Sequence, residues 1–185
     1  MALSLSLGGT AACSSTADTT AAPVSTPPLS TTPTATTPVP TSSAPDPTAD
    51  AKEGALAAYR GMWTVTVKAY GAGSLNGVDD LEAYMADKAL AGFKVAVAYY
   101  DKNNMVVKGK PLLVPQVQTL DLAGKPSRVT IRDCVDTSNF QPVDRTTGQP
   151  SATDGKTRHV MNAVTMFLDG KWLVTDAAYD REQTC

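Results

Sequence analysis

The first 51 residues contain no Lys, Arg, His, Phe, Tyr or Trp, and this break in composition sets where a fold can form. From Ser14 onward the chain is mostly Thr, Pro, Ser and Ala, as in TTAAPVSTPPLSTTPTATTPVPTSSAPDPT. Side chains this small cannot offset the conformational entropy of ordering the backbone, and the prolines withhold helix and ladder hydrogen bonds. Residues 14–49 therefore read as a disordered tether. A flexible chain of that length reaches on the order of 30 to 40 Å. Threonine and serine with proline is also the composition of glycosylated stalks. An ordered domain is confined to residues 50–185.

Charge and hydropathy exclude two classes of partner. The net charge is −2 with sixteen Lys and Arg, and these are scattered rather than clustered. Such a surface offers no electrostatic footprint for nucleic acid. No stretch approaches the roughly 20 apolar residues of a membrane-spanning helix.

Within the domain, helical periodicity comes first. In DAKEGALAAYRGMWTVTVKAYGAG, Asp50 is placed as N-cap with Glu53 three residues on, and Gly71 past the far end. Leu56, Tyr59, Met62, Trp63, Val67 and Tyr70 recur at spacings of three and four, which predicts one amphipathic helix. The TVTV run lowers helix propensity without breaking the period. In VDDLEAYMADKALAGFKVAVAYYDKNN, Asp79 or Asp80 supplies a cap, and Leu81, Tyr84, Met85, Leu90, Phe93, Val97 and Tyr100 keep helical spacing. Gly92 is the point at which this segment would divide into two helices. After Asn104 the pattern becomes short and β-like, in MVVKG, LLVPQVQTLDLAG, SRVTIRDCVD, TRHVMNAVTMFLDG and KWLVTDAAYD. NFQPVDRTTGQPSATDG reads as a loop excursion between two of these strands. Helices first and strands afterwards predict an α+β domain with an antiparallel sheet wrapped around the helices.

The groups available for chemistry are few. His159 is the only histidine, and no two cysteines lie at zinc spacing, so no metal site is expected. Neither common nucleotide fingerprint occurs, and no serine sits in a nucleophile-elbow context. No cofactor is implied. Asp133 and Asp136 flank Cys134, and Asp176 alternates with Trp172 and Val174 on the last strand, which places those three on one face. If that face lined a pocket, Asp176 would be a desolvated carboxylate suited to moving a proton. Tyr59, Tyr84 or Tyr100 would then donate to a developing oxyanion. The competing reading makes Trp172, Val174 and the tyrosines plain core, and His159 a surface residue.

The opening MALSLSLGGTAAC resembles the end of a bacterial lipoprotein signal peptide, with Ala11 and Ala12 at the small positions before Cys13. It implies export, removal of residues 1–12, and a lipid on Cys13, the new N-terminus, that holds the protein at the outer face of the cytoplasmic membrane. A cytoplasmic protein with a stray cysteine is the alternative. The order of elements, with MVVKGKPLLVPQV, RVTIRDCVDTSNF, a late GKWLVTD strand and a terminal cysteine, resembles the NTF2-like superfamily. Within it, the small exported lipoproteins of high-GC Gram-positive bacteria are the nearest in pattern. The resemblance implies a cone in which a curved antiparallel sheet encloses the N-terminal helices around an apolar pocket. Tyr59, Trp63, Tyr84, Phe93 and Trp172 are the candidate lining, and Asp176 with Tyr84 the candidate proton-transfer pair. Domains of this family often form homodimers through the open sheet face.

Export in turn gives the cysteines a role. In an oxidising compartment Cys134 and Cys185 read as a disulfide, with two separate thiols as the alternative. Two functions follow as expectations. One is a tethered, non-enzymatic envelope protein binding a protein, a cell-wall component or a small apolar ligand. The other is a small enzyme of the ketosteroid-isomerase or dehydratase type. A pocket with one buried acid and a facing tyrosine favours the second, and a pocket closed by core side chains the first.

Overall fold

The computed structural model describes residues 46–153, 155–180 and 182–185. Cys13 and the tether up to residue 45 lie outside the described residues. The first helix, α1, spans Pro47–Ala72. Its N-cap is Asp46, whose carboxylate accepts from the Thr48 amide at 2.9 Å. Pro47 fills the first turn, where no amide partner is needed. Asp50, expected as the cap, instead lies one turn inside and favours the positive end of the helix dipole. Gly73, not Gly71, ends the helix, with the left-handed φ of 61° that closes the last turn onto the Ala69 and Tyr70 carbonyls. The TVTV stretch stays helical through burial of Val65 and Thr66, and Thr64 and Thr66 return their hydroxyls to the Arg60 and Met62 carbonyls at 3.0 and 2.7 Å.

The second helical segment divides at Met85, not at Gly92. A single turn, α2 (Leu81–Tyr84), is followed by extended Met85 and Ala86, and then by α3 (Asp87–Lys102). The interruption arises because Met85 forms a parallel bridge with Val174 and the Ala86 amide donates to the Val174 carbonyl at 2.9 Å. A strand contact thus outcompetes one turn of helix. Gly92 sits undisturbed within α3.

Six strands follow: β1 (Met105–Gly109), β2 (Gln116–Asp121), β3 (Arg128–Asp136), β4 (Phe140–Asp144), β5 (Arg158–Leu168) and β6 (Lys171–Asp180). The α+β order is as the sequence predicts, but the single curved sheet of an NTF2-like cone does not form. The strands divide into two separate antiparallel sheets, β1-β4 and β2-β3-β5-β6, neither of them closed. The division has a local cause at the end of β3. Asp136 accepts from the Ser138 amide and hydroxyl at 2.9 and 2.5 Å, which turns the chain. The segment expected as a loop excursion then enters β4 and pairs with β1, Phe140 opposite Gly109 and Asp144 opposite Met105. Gly109, at a φ of 84°, lies against the Asn139 carbonyl, where a side chain would collide. Only one bridge, Leu112 with Asp136, links the β1–β2 connection to β3.

In the larger sheet, β5 and β6 are joined by Asp169 and Gly170, both at positive φ, a turn whose twist matches the strands it connects. The inner face carries Val129, Ile131 and Val135 of β3, Met161 and Ala163 of β5 and Val174 of β6, all packed on α1 and α3. A bulge interrupts β6: Thr165 pairs with Val174, but Val164 pairs with Asp176. The extra residue, Thr175, returns its hydroxyl to the Val164 carbonyl at 3.3 Å. Beyond the bulge the inward positions are Ala177 and Tyr179, opposite Ala163 and Met161. Cys134 and Cys185 form a disulfide, with Cα atoms 5.9 Å apart, that fixes Cys185 to the second half of β3.

Candidate functional site

A cavity of about 440 Å³ opens between α1, α3 and both sheets. Its floor is apolar and aromatic, made by Met62 and Trp63 of α1, Phe93 of α3, Phe140 of β4 and Met161 of β5. These residues are buried because each falls on the inward stripe of its own element, α1 and α3 contributing at helical spacing and β5 at alternate positions. Tyr70 builds one wall. Its ring stacks on Phe93 at 5.8 Å and Phe140 at 6.3 Å, and meets Tyr100 at 4.8 Å. The rim is polar, with Gln141, Thr153, Lys156 and His159. The His159 ring packs on Tyr179 at 5.2 Å, and its Nε2 lies 3.1 Å from the Lys156 carbonyl oxygen.

Of the residues expected to line a pocket, Trp63 and Phe93 line this cavity and Tyr59, Tyr84 and Trp172 do not; Tyr100, expected as a donor, lines it as well. Tyr84 and Trp172 lie over α1, where the absence of side chains at Gly61 and Gly54 leaves room for their rings. Asp176 does not share a face with Trp172 and Val174. The β6 bulge shifts the alternation, so Asp176 stands opposite Val164 on the outer face of the sheet. The proton-transfer arrangement expected around Asp176 and Tyr84 is therefore not assembled.

The buried carboxylate is Asp133. It is 1% exposed and points inward with Val129, Ile131 and Val135. Its Oδ2 accepts from the Tyr59 hydroxyl at 2.9 Å and its Oδ1 from the Val114 amide at 2.7 Å. Desolvation raises its pKa, although both hydrogen bonds oppose the shift. Tyr59 is itself fully buried, and desolvation holds its phenol neutral. The alternation in RVTIRDCV carries this information, because Asp133 falls in phase with the apolar residues of β3. Asp133 does not line the cavity, and no Asp or Glu among the described residues does.

Three further tyrosines bear on the cavity: Tyr70 of α1, Tyr100 of α3 and Tyr179 of β6. Burial raises the pKa of all three. Tyr100 adds to the effect on Tyr70, and both of them to that on Tyr179. Tyr179 is 41% exposed as a residue, yet its hydroxyl end is desolvated. Sequence reasoning missed Tyr179 as a wall residue because its inward direction depends on the bulge four residues earlier. Among the described residues, no group of three His, Cys, Asp or Glu could hold a metal ion, and no helix is long and apolar enough to cross a membrane.

No protein family model matches the chain, and no curated protein matches it. Among solved structures it is similar to the intermembrane space region of the chloroplast protein ARC6, with a TM-score of 0.47 and 10% identity. That match covers 69% of this chain and 95% of the other.

Proposed function

We propose that this chain is an accessory protein of the cell envelope whose body binds a small, largely apolar molecule in the cavity between α1, α3 and the two sheets. The observation that carries the reading is the cavity itself. Its volume of about 440 Å³ falls within the range of small-molecule sites, roughly 300 to 1,000 Å³. An aromatic floor beneath a polar rim is the usual character of such sites. The resemblance of residues 1–13 to a lipoprotein signal supports a lipid on Cys13, with the Thr/Pro-rich segment as the spacer that carries the body away from the membrane.

Proton transfer has less support, because an acid or base would have to reach the bound molecule. The carboxylate with a raised pKa, Asp133, lies off the cavity wall with both oxygens engaged.

The test is a titration with butylbenzene, followed by ligand-observed NMR, of the natural sequence and of Gly92→Phe. Gly92 lies at the cavity, is exposed, and a Cβ placed there meets nothing within 4 Å, so a larger side chain is accommodated at the mouth without displacing the core. Saturable binding that Gly92→Phe weakens at least tenfold is expected. Equal binding by both proteins, or none by either, would overturn the reading. The intact mass of protein purified from its own host tests the anchor, through a lipid-sized addition on a chain that begins at Cys13.

A further inference from the structure

The two sulfurs of the disulfide stand in different surroundings. Cys134 is half-buried on the outer face of β3, whereas Cys185 is exposed. Arg158, at the start of β5, brings its Nη2 to 3.2 Å from Cys134 Sγ. The strand register puts it there, because Arg158 pairs with Asp136, two residues beyond Cys134 on the same face of β3. A cation beside a sulfur favours its thiolate form, and a thiol of lower pKa is the better leaving group in thiol–disulfide exchange. Access is a second and independent observation. A thiolate from solvent meets the exposed Cys185 more readily than the half-buried sulfur beside Arg158. Leaving group and access therefore select the same direction of attack.

We propose that Cys185 is a site of reversible S-thiolation by a low-molecular-weight thiol. The small thiolate attacks Cys185 Sγ and a new S–S bond forms there. The Cys134–Cys185 bond breaks, and its electron pair passes to Cys134 Sγ, which Arg158 holds as a thiolate. One disulfide replaces another, so no oxidant or reductant is consumed. In the reverse step the Cys134 thiolate attacks Cys185 Sγ, expels the small thiol and restores the bond. The opened segment stays close enough for this, because Gln183 accepts from Arg132 at 2.7 Å and donates to Asp180 at 2.9 Å. The charged groups around the step are Arg132 and Arg158 on one side of the balance, and Asp136 and Asp180 on the other. Arg158 is exposed and faces Asp136 as well, so solvent and the carboxylate screen its field and the effect is modest.

Glutathione serves as the probe, on the full chain with any free Cys13 thiol blocked beforehand. The folded protein is mixed with excess glutathione, sampled at early times into N-ethylmaleimide, and mapped by peptide mass. Glutathione is expected on Cys185 over Cys134 by about fivefold or more, with the maleimide on Cys134. In parallel, the rate at which dithiothreitol opens the bond is compared between the natural sequence and two variants. Arg158→Gln should slow the opening about threefold and narrow the preference for Cys185, and Arg158→Lys, which keeps the charge, should recover most of both. The sign separates this from a structural role, since a variant that merely loosened the fold would react faster. Glutathione on Cys134 or evenly on both residues, no adduct in the folded protein, or an Arg158→Gln variant that reacts as fast as the natural sequence or faster would overturn the proposal.

Discussion

Asp133 is the residue at which stability and ionisation meet. Its carboxylate ties α1, through Tyr59, and the connection before β2, through Val114, to the centre of β3. Replacing it with alanine leaves the buried Tyr59 hydroxyl and the part-buried Val114 amide unpaired, and Asp133→Ala is expected to cost about 2 to 4 kcal/mol in urea denaturation. Asp133→Asn keeps one acceptor, for the Val114 amide, and its NH2 can donate to the Tyr59 hydroxyl, which accepts as well as donates, so it should cost less. The sign of the pH effect follows from the raised pKa. The folded state holds the Asp133 proton more tightly than the unfolded chain does, so its stabilising contribution is complete below the ordinary value of 3.8. That contribution is lost as pH rises through the higher folded value. Asp136 and Asp144 are shifted the opposite way by hydrogen bonds from Ser138 and Thr147, so the natural protein alone does not isolate the effect. The difference in unfolding free energy between the natural protein and Asp133→Asn does, and it should move in favour of the variant from pH 4 towards neutrality. A difference independent of pH would assign the shift elsewhere.

At the scale of elements, three helical glycines that look alike in sequence differ in what surrounds them. Alanine is the better helix former at each of them by about 1 kcal/mol. At Gly92 a Cβ meets open space, and Gly92→Ala should raise the melting temperature. At Gly61 a Cβ runs into the Tyr84 ring, and at Gly54 it lies 2.5 Å from Trp172 Cδ1. Gly61→Ala and Gly54→Ala are expected to lower the melting temperature, because displacing a packed ring outweighs propensity. Both helical stripes and five of the six strands were legible from periodicity, because α1, α3 and most of the strands each bury one face. The interruption at Met85 was not. It is caused by Val174, almost ninety residues away along the chain, and nothing local in AYMADK announces it. The bulge at Thr175 was equally hidden, and it moved Asp176 outward and Tyr179 inward. Alternation assigns a face only while the register holds.

For the whole molecule, the α+β order was legible in the succession of patterns, and the partition into two sheets was not, since a strand's pattern specifies burial and not its partner. The β4 segment illustrates this: Phe140 and Val143 are buried, but Pro142 and the turn residues around them disguised the strand as loop. The disulfide was expected from the export that the signal-peptide resemblance implies, with two separate thiols as the alternative, and the structure forms it. Cys134→Ala and Cys185→Ala should each destabilise the protein by about 4 kcal/mol, the chain-entropy value for a loop of this size, and the double variant should be no worse than either single one. Additive losses would show that the residues act separately. The same bond, joining Cys185 to a residue 51 positions earlier, makes β4, β5 and β6 part of a covalent ring. A protease that cuts once within the ring, for example in the connection between β4 and β5, opens it without releasing a fragment. The nicked protein gains only the mass of one water, and its two pieces separate only on reduction.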